Sequence, residues 1–163
     1  MSVESPVLTL NNGVRMPALG LGTYQSSPEQ TVRAIETALA KGYRLIDTAA
    51  PYFNEQQVGE GIRQSGIPHS ELFVQTKLWI SDYGHGRTLR AFDVSLCKLG
   101  LDYVDLYLLH WPVPSAFDAT VASYRASEQL LADRRWRANG VCNFSPKHLD
   151  NLIGRSSVTP SVN

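Results

Sequence analysis

Cysteine is scarce in this chain: of 163 residues only Cys97 and Cys142 are thiols. Two cysteines so far apart build neither a disulfide framework nor a zinc motif. Both are expected to be free thiols in a reducing compartment. Long apolar runs are missing too, so no segment reaches the length that spans a bilayer. Met1 to Pro6 lacks the basic and apolar blocks of a secretory leader, and a cytoplasmic location is expected. Excess charge of either sign is absent: 15 Lys and Arg balance 15 Asp and Glu. That balance gives no sign of a nucleic-acid or anionic-membrane surface. Of His69, His85, His110 and His148, only His110 closes an apolar run. A barrel metallohydrolase needs several such ligands at strand ends, and Lys77 would repel the metal. Finally, Gly20 and Gly22 are followed by Gln25, so no Gly-x-Gly-x-x-Gly fingerprint of a Rossmann site is present.

What is present is an alternation. Asn12-Gly13 sits between Val7-Leu8-Thr9-Leu10 and Val14-Arg15-Met16 as a hairpin turn in which both residues tolerate positive φ. Ala18 to Thr23 reads as a strand. Ser27-Pro28-Glu29 opens a helix with Val32, Ile35, Ala38 and Leu39 on its apolar face, ended by Gly42. Strands ending at Asp47, Lys77 and His110 are each followed by a helix, over about 54–63, 87–99 and 117–133. A further strand over 137–141 ends near Asn143, and Ser145-Pro146 opens another helix. Lys77 to His110 and His110 to Asn143 are both 33 residues. Such alternation implies right-handed βα units on a parallel sheet, as a barrel or as a doubly wound open sheet. Val158 to Asn163 resembles the entry to another strand. A (βα)₈ barrel needs about 250 residues, so one domain over 1–163 is expected as an incomplete barrel of about five units behind a β-hairpin, as a barrel whose remainder lies on another chain, or as an open sheet. Its two strand edges would be open to self-association.

Three polar side chains close three successive buried runs: Asp47, Lys77 and His110. A charge there is expensive unless paired or used, and barrel enzymes keep their chemistry at the carboxyl ends of strands. Asp47 is the obvious partner of Lys77, either as a rim ion pair or as part of a site. Tyr52 follows in the loop after Asp47. Alone it reads as a surface aromatic; beside an ammonium it reads as a general acid. His110 is either a core histidine or a neutral imidazole that orients a carbonyl oxygen. Tyr24, Trp79 and Trp111 follow strand ends and either pack beneath loops or wall an apolar pocket.

Together these segments resemble the aldo-keto reductase family over nearly the whole chain. The resemblance rests on Leu19-Gly20-Leu21-Gly22-Thr23, on the long signature from Gly42 to Glu55, and on Thr76-Lys77-Leu78-Trp79. Leu109-His110-Trp111-Pro112 and Gly140-Val141-Cys142-Asn143-Phe144 complete it in the same order. It implies a TIM-type (β/α)₈ barrel oxidoreductase that reduces aldehydes or ketones with NADPH, NADH not being excluded. The family's catalytic four map onto Asp47, Tyr52, Lys77 and His110. In that scheme Tyr52 protonates the carbonyl oxygen, Lys77 held by Asp47 assists it, and His110 positions the substrate. Gly22, Thr23, Tyr24, Asp47, Cys142 and Asn143 would face the cofactor. Tyr24, Trp79, His110 and Trp111 would face the small-molecule carbonyl substrate.

The chain departs from the family in places. Serine is usual where Cys142 stands, glycine at Arg134, a small aliphatic at Trp136 and an aliphatic at Asn139. A core-facing asparagine costs a few kcal/mol unless bonded. The sequence also ends before the segments that, in the family, stack on the nicotinamide and hold the adenosine phosphates. The competing expectation is therefore an inactive fragment or a binding product.

Overall fold

The computed structural model describes residues 5–163. Two short strands, β1 (Val7–Thr9) and β2 (Arg15–Pro17), pair antiparallel. The turn between them differs from the sequence expectation. Gly13 has φ 84°, whereas Asn12 does not adopt positive φ. The side chain of Asn12 is used instead. Its Oδ1 accepts from the Val14 N–H at 3.1 Å and its Nδ2 donates to the Arg137 carbonyl at 2.9 Å.

Five parallel strands follow in sequence order: β3 (Gly20–Gly22), β4 (Leu45–Asp47), β5 (Phe73–Leu78), β6 (Val104–Leu109) and β7 (Trp136–Val141). Helices α1 (Pro28–Ala40), α2 (Glu55–Ser65), α3 (His85–Leu99) and α4 (Phe117–Ala132) connect them, and α5 (Pro146–Ile153) follows β7. Sequential parallel neighbours joined by helices are the build of a (β/α)₈ barrel, here with five strands in place. Helix starts follow local chemistry. Ser27 and Ser145 each accept from the third helical N–H and each precedes a proline, forming capping boxes.

The sheet is buried on both faces. On one, Ile46, Val74, Leu78, Tyr107, Leu109 and Val141 pack against the helices. On the other, Leu45, Phe73, Leu106, Leu108 and Ala138 form a smaller inner cluster, joined by Leu10, Val14 and Met16 from the hairpin. The hairpin thus closes the amino end of the strands and leaves the carboxyl end for chemistry.

Trp136, where a small side chain was expected, is buried and stacks on Tyr107 with centroids 4.8 Å apart. The Phe92 ring meets its edge at 4.7 Å. Asn139 is fully buried, and the expected cost is half met. Its Nδ2 donates to the Tyr124 hydroxyl, which donates to the Val158 carbonyl, both at 3.0 Å. Its Oδ1 has no partner among the described residues. Residues 158–163 form no strand element, but they run beside β7. Ser161 N–H donates to Asn139 O at 2.8 Å and Val141 N–H to Val162 O at 2.9 Å. Gly140 permits this approach, because a Cβ there would lie 2.7 Å from the Val162 carbonyl oxygen. No described helix is long and apolar enough to cross a membrane.

Arg134 shows why glycine is usual at its position. It follows the C-cap of α4 with φ 58°. Its N–H bonds Leu131 O at 3.1 Å, and the next N–H bonds Leu130 O at 2.9 Å. This is a Schellman turn with a Cβ in the left-handed region. Arg134→Gly is expected to stabilise the chain by about 0.5–1 kcal/mol in urea unfolding, the relieved strain outweighing the added chain entropy.

Candidate active site

Parity brings the site together. Leu45 and Asp47 on β4, Phe73, Gln75 and Lys77 on β5, and Leu106 and Leu108 on β6 alternate onto the inner face. His110 continues that face one residue past β6, its N–H bonding Leu78 O at 3.1 Å. Cys142 continues it past β7, where its side chain borders the inner cluster.

Lys77 is 5% exposed, and a buried ammonium must find acceptors for three protons. It finds three. Nζ donates to Asp47 Oδ1, to the Thr48 carbonyl at 3.1 Å and to the Tyr52 hydroxyl oxygen at 3.4 Å. Its neighbour on β6 is Leu108, so the polar direction lies only toward β4 and its loop. Tyr52 is delivered by a 3-10 turn, Ala50–Tyr52, that begins three residues past β4. Among the described residues the Tyr52 hydroxyl accepts from Lys77 and donates to nothing, so its own proton is free.

His110 lies beside this pair, its ring centroid 5.8 Å from that of Tyr52. It is 9% exposed, and Nδ1 is buried without a partner among the described residues. Burial first, then repulsion from Lys77, lowers its pKa from the usual 6.5 to about 4, with Asp47 opposing. The imidazole is therefore neutral from pH 5 upward. Because the folded value is depressed, the unfolded chain binds the extra proton between pH 6.5 and 4, and stability falls as pH falls through that window. Chemical unfolding across that range is expected to show a slope approaching about 1.4 kcal/mol per pH unit that His110→Gln removes.

The remaining expected residues divide. Tyr24 tilts over Tyr52 at 5.0 Å and Trp79 meets His110 edge-on at 5.3 Å. Trp111 is exposed and its ring joins none of these contacts. Thr23 is buried, with its hydroxyl committed to Asp47 O at 3.2 Å and Asn54 Oδ1 at 3.4 Å. Gly22 leaves space beside the carboxylate, since a Cβ there would lie 3.9 Å from Asp47 Oδ2. Asn143 adopts φ 65°, and its Nδ2 donates to the His110 carbonyl at 2.9 Å and meets Cys142 Sγ at 3.2 Å. Burial pushes the Cys142 thiol up, against the pull of Lys77.

Sequence reasoning passed over two residues behind the cluster. Gln75 donates from Nε2 to Asp47 Oδ1 at 2.6 Å. Asn54 is buried and ties three segments together. It donates to Thr23 O at 2.8 Å and to Thr31 Oγ1 at 3.5 Å, and accepts from Thr48 Oγ1 at 3.0 Å. For Gln75 the signal was period-two spacing between Phe73 and Lys77. For Asn54 it was a polar residue opening a helix. Among the described residues no His, Cys, Asp and Glu group is arranged to hold a metal.

Known proteins are similar to this chain in sequence and fold. Morphine 6-dehydrogenase of Pseudomonas putida is 59% identical over all of this chain, which covers 55% of that protein. An aldo-keto reductase of Mycobacterium sp. (strain JLS) is 48% identical over 98% of this chain and 57% of its own length. The crystal structure of an aldo/keto reductase from Brucella melitensis superposes with TM-score 0.93 and 48% identity, over 96% of this chain and 61% of that one. A Bombyx mori aldo-keto reductase in complex with NADP gives TM-score 0.90 and 34% identity, over 98% and 57%. The chain thus spans little more than half the length of the relatives it matches. The Aldo/keto reductase family model matches residues 18–163, and with that match the chain belongs to the aldo/keto reductase family.

Proposed function

We propose that this chain reduces aldehyde or ketone carbonyls to alcohols, with NADPH as cofactor and NADH as the alternative, and with Tyr52 as proton donor. One observation carries the reading: Lys77 spends its three protons on Asp47, Thr48 O and Tyr52, which frees the phenolic proton beside a neutral His110.

The residues present fit a nicotinamide cofactor. Asp47 Oδ2 faces the gap left by Gly22, and Asn143 fixes its amide on the His110 carbonyl, leaving Oδ1 free for a carboxamide. Gly22, Thr23, Tyr24, Asp47, Cys142 and Asn143 are the side that would hold it. When bound, the cofactor supplies the hydride that the carbonyl carbon accepts. His110 then orients the carbonyl oxygen by hydrogen bonding, Tyr52 gives that oxygen its proton, and the Lys77 ammonium stabilises the charge left on the phenol oxygen. Asp47 keeps the ammonium in place. Tyr24, Trp79 and Trp111 favour a substrate with an apolar body. Named relatives are a morphine 6-dehydrogenase and a methylglyoxal reductase. The free cysteines fit a cytoplasmic location.

A second reading is binding without turnover. Calorimetry with NADPH, followed by aldehyde addition while coenzyme oxidation is recorded, separates the two. Heat of binding and carbonyl-dependent oxidation are expected. Heat without oxidation selects the second reading, and neither signal removes the cofactor assignment.

A further inference from the structure

We propose that Gln75 is a positioning residue for this reaction: its amide pins the Asp47 carboxylate so that Lys77 stays against Tyr52. The proposal rests on the carbonyl-reductase reading above. Gln75 is the direct cross-strand partner of Asp47 in the β4–β5 pairing, while Lys77 lies one layer further along and must reach back diagonally. Its amide therefore meets the carboxylate sideways, and Nε2 donates to Oδ1 at 2.6 Å, the same oxygen that takes Lys77. Hydrogen bonds to an ionised acceptor are roughly twice as strong as neutral ones.

The other end of the amide shows that this contact has a cost. Oε1 of Gln75 is buried and has no partner among the described residues. Its neighbour on β6 is Leu106, which offers none. Flipping the amide would set Oε1 against a carboxylate oxygen, so only the donor orientation is tenable. A strand gains nothing from an inward glutamine with an orphaned acceptor. The contact to Asp47 is what the residue supplies. Without it, a carboxylate whose side chain is 26% exposed is held by one flexible lysine, and both are free to swing. With it, Oδ1 is fixed on the Lys77 side and Oδ2 stays turned toward the Gly22 gap.

Two measurements on the 163-residue chain test this. In steady-state kinetics, Gln75→Leu is expected to lower kcat about tenfold, equivalent to about 1.4 kcal/mol, with the carbonyl KM within about twofold. In an Asp47→Ala background the same change should cause no further loss, because Gln75 acts only through Asp47. Full activity of Gln75→Leu, or an equal loss in both backgrounds, would overturn the proposal. By NMR, one Gln75 side-chain amide proton should be downfield-shifted and protected from exchange, and should lose both properties in Asp47→Ala. A freely exchanging amide in the unaltered chain also overturns it. If the unaltered chain reduces no carbonyl, the function above falls, while the amide resonance still decides whether Gln75 holds Asp47.

Discussion

Tyr52→Phe is expected to cut kcat by about 10²–10⁴-fold, the range removed with a general acid, while NADPH affinity stays within about twofold. The substitution deletes one oxygen and little else. The ring keeps its place against Tyr24 at 5.0 Å and beneath the Lys77 ammonium, 5.0 Å from its centroid. Lys77 retains Asp47 and the Thr48 carbonyl. The effect therefore belongs to the proton, not to the fold. Steady-state rates with a saturating aldehyde, and NADPH binding by calorimetry, read the two halves separately. A variant that turns over at the unaltered rate removes Tyr52 as the acid.

Lys77→Met carries the second large effect, and it reaches stability as well. Methionine fills the same inner volume but leaves Asp47 bonded to Gln75 alone among these partners. Breaking a buried pair costs about 3–5 kcal/mol. The Asp47 side chain is 26% exposed, so solvent screens it and about 1–3 kcal/mol is expected in urea unfolding. Turnover should fall as far as in Tyr52→Phe. The double variant should be no slower than the worse single, because cation and phenol act as one unit. Lys77→Arg should recover much of the stability and little of the rate, since a planar guanidinium does not match three acceptors gathered around one nitrogen. Additive losses in the double variant would contradict the coupling.

Much of this was legible because buried strands make charges conspicuous. Asp47, Lys77 and His110 stood out at the ends of three apolar runs, and the 33-residue spacing set Lys77, His110 and Asn143 on successive βα units. The family signature added Tyr52, whose loop position alone suggests only a surface aromatic. Uncharged polar residues were the blind spot. Gln75 attracts no attention inside a strand until its alternation with Phe73 and Lys77 is followed. Asn54 reads as a helix start, yet its side chain caps no helix N–H and ties three segments together. The Asn12-Gly13 turn was recognised, but its geometry was not, because the Asn12 side chain found partners in Val14 and in distant Arg137. Such long-range bonds leave no local pattern. Asn139 was correctly read as facing the core. Its partner Tyr124, fifteen residues upstream on α4, could not be chosen from sequence spacing.

The most direct test is a neutron structure of the deuterated chain, which places the hydrogens that the mechanism depends on. Three deuterons on Lys77 Nζ are predicted, directed at Asp47, the Thr48 carbonyl and Tyr52, with the phenolic deuteron turned away from Lys77 toward the open face. A two-deuteron amine toward which the phenolic deuteron points would mean that the Tyr52 proton is committed to Lys77 and not free for a carbonyl, and the account would be wrong.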